Sequence, residues 1–168
     1  MMRIIYYLIP MLIINPILNF SQINTFDSMT QQNKMGNILI GKTDFQTVLA
    51  LPEFTQISNP YSFNDDAIRQ LSNKLYDYSI VCFIGTWCED SHVLIPIFFE
   101  VLQKCHYPID KVLLYAVDRD KKTTNGAEAP YNITFVPTII ILKDEMEKGR
   151  IVEQPQLSLE EDLLKLID

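Results

Sequence analysis

Ser79-Ile80-Val81-Cys82-Phe83-Ile84-Gly85-Thr86-Trp87-Cys88-Glu89-Asp90-Ser91-His92 is the stretch that decides the fold. Its first six residues form a short apolar run with β-branched and aromatic members, the pattern of a strand buried on both faces. Residues 89–104 follow, long enough for a helix and broken only by Pro96, and residues 112–117 (Val-Leu-Leu-Tyr-Ala-Val) make a second apolar run. Strand, helix and strand in that order point to a parallel pair with the helix as its crossover.

Working toward the C-terminus, residues 138–142 read as a third strand, Lys143-Asp144-Glu145 as a polar turn and residues 150–153 as a fourth strand. Ser158-x-x-Glu161 is a capping box that opens a last helix with Leu159, Leu163 and Leu166 on one side. Toward the N-terminus, Asn64-Asp65-Asp66 caps a helix carrying Ile68, Leu71 and Leu75, its acids placed where the dipole favours them. Thr43 or Asp44 caps a shorter helix with Phe45, Val48 and Leu49, and residues 22–37, polar and without apolar periodicity, read as a flexible leader.

The chain has 168 residues, 48% hydrophobic and 21% charged, enough apolar content for one compact core. Its 14 basic residues against 21 acidic ones give a net charge of −7, and no basic block is present, which argues against a nucleic-acid surface. Residues 1–21 have the layout of a secretory signal: Arg3, then an apolar middle over residues 4–14, then Ser21 as the small residue near a cleavage point. The run is too short, and too interrupted by Pro10, Pro16, Asn15 and Asn19, to make a good membrane span. Export to a periplasmic or extracellular compartment is the expectation, with membrane attachment only if the signal is retained. Residues 22–60 then form an N-terminal extension, and residues 61–168 the domain proper.

Three cysteines, Cys82, Cys88 and Cys105, are too few for a stapled scaffold and odd in number. Cys88 stands at the start of the crossover helix, where unsatisfied backbone N–H groups and the positive dipole end favour a thiolate. Ser91, one turn on, is placed to donate a hydrogen bond to that sulfur, while Glu89 and Asp90 oppose the negative charge. Cys82 lies within a buried strand and reads as a small inert hydrophobe. Cys105, near the far end of the helix, is about 25 Å from Cys88 at 1.5 Å per residue.

With those residues in view the chain resembles the thioredoxin superfamily. Thr86-Trp87-Cys88 follows an apolar strand, Pro96 comes eight residues after Cys88, Val117-Asp118-Arg119-Asp120 ends the next strand, and Phe135-Val136-Pro137-Thr138 is similar to the family's Ile/Val-Pro-Thr. The Gly-Thr-Trp-Cys-x-Asp-Ser wording looks like a secreted bacterial branch. The resemblance implies a three-layer α/β/α sandwich with a mixed central sheet, here with an N-terminal helical extension. It also implies a cis Pro137 beside Cys88 and a substrate groove shaped by Trp87, Val136, Pro137 and Thr138. Two departures stand out: the family's second, resolving cysteine is Ser91, and its buried proton-shuttling acid is Cys82. One thiol without an internal partner still makes mixed disulfides. The reading is therefore a monothiol or isomerase-like exchange protein acting on cysteine-containing proteins or small thiols, with Cys88 and Ser91 as its catalytic pair and no cofactor.

A rival reading keeps the fold as a binding or scaffold module with Cys88 vestigial. His92, four residues after Cys88, has helical ligand spacing but only one distant companion, His106, so no metal is expected and His92 reads as a surface or thiolate-tuning residue. Asn132-Ile133-Thr134 fits a glycosylation pattern without meaning in a bacterial-type protein. Glu145, Glu147, Glu160, Glu161 and Asp162 read as a solvated face and helix-start charges.

Overall fold

A computed structural model describes residues 29–33, 36–55 and 60–168, with side chains from Ile38 onward. The expected signal at residues 1–21 lies outside the described residues. Six strands, β1 (Met29–Asn33), β2 (Gly36–Thr43), β3 (Ser79–Ile84), β4 (Leu113–Ala116), β5 (Thr138–Lys143) and β6 (Met146–Val152), form one mixed sheet in the order β1-β2-β4-β3-β5-β6. The pair expected to be parallel, β3 and β4, is parallel; every other neighbouring pair is antiparallel. Among the described residues four α-helices complete the fold: α1 (Phe45–Leu49), α2 (Asp65–Lys74), α3 (Glu89–Lys104) and α4 (Leu159–Ile167).

Strand alternation sorts the sheet's side chains onto two faces. Ile80, Cys82 and Ile84 of β3, with Leu114, Ala116, Ile139, Ile141 and Ile151, pack against the apolar sides of all four helices in one large core. Val81, Phe83 and Ile140 face the other way, into a smaller cluster with Val117 and Val136. Phe83 stacks there on Tyr115 (5.3 Å between ring centroids) and meets Tyr131 at 5.4 Å. This second outer layer is thin. It is built from the segment between β4 and β5, whose only helical element among the described residues is the 3-10 turn Ala129–Tyr131.

The caps follow the sequence. The Asn64 side chain accepts from the N–H groups of Asp66 and Ala67, Asp44 from that of Thr47, and Ser158 and Glu161 close a complete capping box. The helix α3 runs through Pro96 without ending. Val117 lies just beyond β4 yet continues its ladder, donating to the Ile84 carbonyl at 2.9 Å.

Four expectations change. The leader over residues 22–37 supplies β1 and the start of β2, paired from Met29↔Ile40 to Asn33↔Gly36, so the extension adds strands as well as a helix. Residues before 61 also build the core itself: β2 hydrogen-bonds along β4, and Phe45, Val48 and Phe54 are buried with the helical face. The fourth strand begins at Met146, four residues earlier than read, because its outer positions are exposed and give no apolar signal. Among the acids read as solvated, Glu160 is fully buried, accepting from Tyr61 Oη at 2.9 Å and the Asn64 N–H at 2.6 Å. Those two bonds join the segment before α2 to the start of α4. No helix among the described residues is long and apolar enough to cross a membrane.

Candidate active site

Because β3 and β4 are parallel, their C-terminal ends open on the same rim, and the chain leaving β3 must turn sharply into α3 there. Gly85 makes the turn: a Cβ at this position would lie 2.8 Å from the Trp87 ring and 3.2 Å from the Cys88 Cβ. Cys88 is the N-cap of α3, with extended backbone (φ −105°, ψ 122°) and no capping bond from its side chain. Its sulfur is half-buried and donates to the Val136 carbonyl at 3.1 Å. The Val136–Pro137 peptide is cis. Thr138, buried, donates its hydroxyl to the Phe135 carbonyl at 2.7 Å and so holds the loop that carries Val136.

Trp87 is fixed by its indole N–H, which donates to the Val117 carbonyl at 3.0 Å. The rim therefore gathers Trp87, Cys88, Val136, Pro137 and Thr138 at the ends of three strands, with Phe135 53% exposed beside them. Ser91 takes a different part. Its side chain is fully buried and its oxygen accepts from the Gly85 N–H at 3.2 Å, so it supports the turn under Cys88 rather than the sulfur itself. A buried N–H left without that acceptor would cost about 1–3 kcal/mol.

His92 is also reassigned. Its Nε2 lies 2.9 Å from the Thr86 carbonyl and its ring meets Phe54 edge-on at 4.9 Å, so the half-buried ring braces the turn from behind. Thr86 completes the brace by accepting the Leu39 N–H at 3.1 Å, which ties β2 to the site. Sequence reading missed both connections, since nothing in a linear pattern links residue 39 to residue 86 or residue 54 to residue 92. Cys82 is fully buried and Cys105 nearly so; burial drives the Cys82 thiol far above its ordinary range, and burial aided by the charge of Glu160 pushes Cys105 up to about 11.

The thin layer beside Trp87 is organised by one carboxylate. Glu128, 4% exposed, accepts from the Thr123 N–H at 3.0 Å and the Thr123 hydroxyl at 2.6 Å, with Lys122 Nζ at 3.5 Å. Burial works to raise its pKa, but the Thr123 bonds, its own backbone N–H and Lys122 outweigh that and hold it below the usual glutamate range. Its contribution to stability is thus complete above about pH 4.3, the unperturbed glutamate value, and is lost as pH falls through the lower folded value. The Thr123 amide resonance is expected to titrate with a midpoint below 4.3 and to stop doing so in Glu128→Gln.

The thioredoxin family profile matches residues 54–166, about two-thirds of the chain. The chain belongs to the thioredoxin family. Thioredoxin H-type 1 of Nicotiana tabacum is 27% identical over 86 residues, covering 51% of this chain and 64% of its own length, so the chain spans less than two-thirds of that relative. Among solved structures, an HIV epitope scaffold superposes with a TM-score of 0.53 at 16% identity, covering 75% of this chain and 92% of its own. A Pseudomonas aeruginosa protein of unknown function gives 0.48 at 16% identity, covering 73% and 82%. At that identity the scaffold's likeness speaks to architecture alone.

Proposed function

We propose that this member of the thioredoxin family is an exported thiol–disulfide exchange protein that works through the single sulfur of Cys88. The observation carrying the reading is the contrast among its thiols: Cys88 is half-buried on an open rim, while Cys82 and Cys105 are sealed in the helical core. The Cys88 thiolate attacks one sulfur of a partner disulfide. A bond forms between the two sulfurs as the old S–S bond breaks, and the departing thiolate takes up a proton. Cys88 then remains in a mixed disulfide until a second thiol, from the partner or from a small molecule, attacks it and releases the thiolate. Trp87, Val136, Pro137 and Thr138 shape the groove in which the partner lies, and Ser91 keeps the Gly85 turn in place below. Export is supported by Arg3 and the apolar run over residues 4–14, and an oxidising compartment supplies disulfides to attack.

The test is mass spectrometry of disulfide-linked adducts recovered, after acid quenching, from cells making the full chain. Adducts at Cys88 that vanish in Cys88→Ala are expected. Capture of the same partners by Cys88→Ala, with no covalent species in either case, would instead make the protein a non-catalytic binding module.

A further inference from the structure

We propose that Trp87, Arg119 and Lys121 form a recognition surface that favours peptide disulfides with an acidic residue beside the cysteine. The inference rests on the exchange reading of Cys88 and adds a charge preference to it.

After β4 the chain makes a compact turn over residues 118–122. Asp118 Oδ1 accepts from the N–H groups of Asp120 (2.9 Å) and Lys122 (2.8 Å), the Asp118 N–H donates to the Lys122 carbonyl at 3.0 Å, and Lys121 adopts φ +61°. The turn brings the Arg119 guanidinium to 5.0 Å from the centre of the Trp87 ring and Lys121 Nζ to 5.8 Å. Both distances are within the range over which a cation is drawn to an indole face.

The pairing is selective. Asp118 and Asp120 belong to the same turn, yet among the described residues neither Arg119 nor Lys121 forms an ion pair, while the adjacent Lys122 is engaged by Glu128. Two positive charges are thus laid against the residue next to the reactive sulfur with no carboxylate of their own.

Sheet order separates this charge from Asp90 at the α3 start. Arg119 and Lys121 follow β4, on one side of β3, whereas Asp90 is tied by Gln154 Nε2 at 3.1 Å to the chain after β6, on the other. An approaching peptide therefore meets positive charge along the Trp87 side and negative charge along the Asp90 side. In a chain of net charge −7, that local reversal selects both the partner and its orientation, because exposed charges act mainly within the roughly 8 Å screening distance of physiological salt.

Capped tetrapeptides, each a symmetric disulfide and differing only in Glu, Gln or Lys beside the cysteine, test the idea by their rates of exchange with the full-length reduced protein at low salt. The Glu peptide is expected to react about fivefold faster than the Gln peptide and the Lys peptide more slowly than either, a steering effect of modest size. The Glu-to-Gln ratio should fall to about one in Arg119→Gln/Lys121→Gln and in 1 M salt, and return in Arg119→Lys/Lys121→Arg, which keeps the charge. Equal rates for all three peptides with the unaltered protein, or a ratio that survives the double Gln substitution, would overturn the charge preference while leaving the exchange reading standing. Failure of the Gln peptide to react at all would remove the exchange reading and this inference with it. Glutathione disulfide reacting faster than the Glu peptide would overturn the assignment to a peptide partner.

Discussion

In Cys88→Ala, iodoacetamide labelling of the native protein at pH 7 is expected to fall from one fast thiol to none on the same timescale. Cys105, with its thiol pushed up to about 11, holds on the order of a hundredfold less thiolate at pH 7 than an unperturbed cysteine. It is 5% exposed besides, with its sulfur 3.8 Å from the Ile68 carbonyl. Cys82, fully buried between Leu114 and Ile139 of the flanking strands, is held more firmly as a neutral thiol. Labelling in denaturant should recover both. A second fast thiol in the folded variant would contradict the division of labour on which the proposed chemistry rests.

Ser91→Cys has the second large effect, of opposite sense. Residues one turn apart at a helix start lie within the roughly 4.4–6.8 Å Cα separation that a disulfide spans, and residue 91 is fully buried under the turn that carries Cys88. A mixed disulfide at Cys88 would then be attacked from within the same chain. Its lifetime, followed by mass spectrometry with a small-molecule adduct, should shorten by on the order of a hundredfold, because a tethered thiol acts at high effective concentration. The variant should also close an internal bridge on oxidation and become resistant to alkylation. The substitution removes the oxygen that accepts the Gly85 N–H, so a loss of stability of about 1–3 kcal/mol accompanies the gain. An unchanged adduct lifetime would show that residue 91 cannot reach the sulfur.

Much of this architecture was legible in the sequence where burial and local chemistry agree. Ile80–Ile84 is apolar throughout because it is covered on both faces, and Ser158 with Glu161 announces α4 because a capping box is a local event. Legibility fails where structure is made by distant backbone. The strand β1, Met-Thr-Gln-Gln-Asn, has no alternation to read, and it exists because its backbone pairs with β2 at the sheet edge. Glu160 looked like any acid in a first helical turn; only the tertiary approach of Tyr61 and Asn64 buries it. At the candidate site the pattern named Trp87, Cys88 and the Val136-Pro137-Thr138 loop, which the fold does bring to one rim. It misplaced the Ser91 hydrogen bond and missed the His92 contacts with Thr86 and Phe54, since helical spacing from Cys88 says which residues are near but not which way the turn at Gly85 directs them. Arg119 and Lys121 carried no signal at all, being ordinary loop cations until the fold sets them against an indole.

That indole is the only one in the chain, and its N–H is anchored to Val117 one residue along from the reactive sulfur. Its fluorescence therefore arises at the rim and nowhere else. The proposed adduct formation at Cys88, its release, and the arrival of a charged peptide alongside Arg119 would all take place within reach of one intrinsic emitter, giving the proposed chemistry an optical probe without any dye attached.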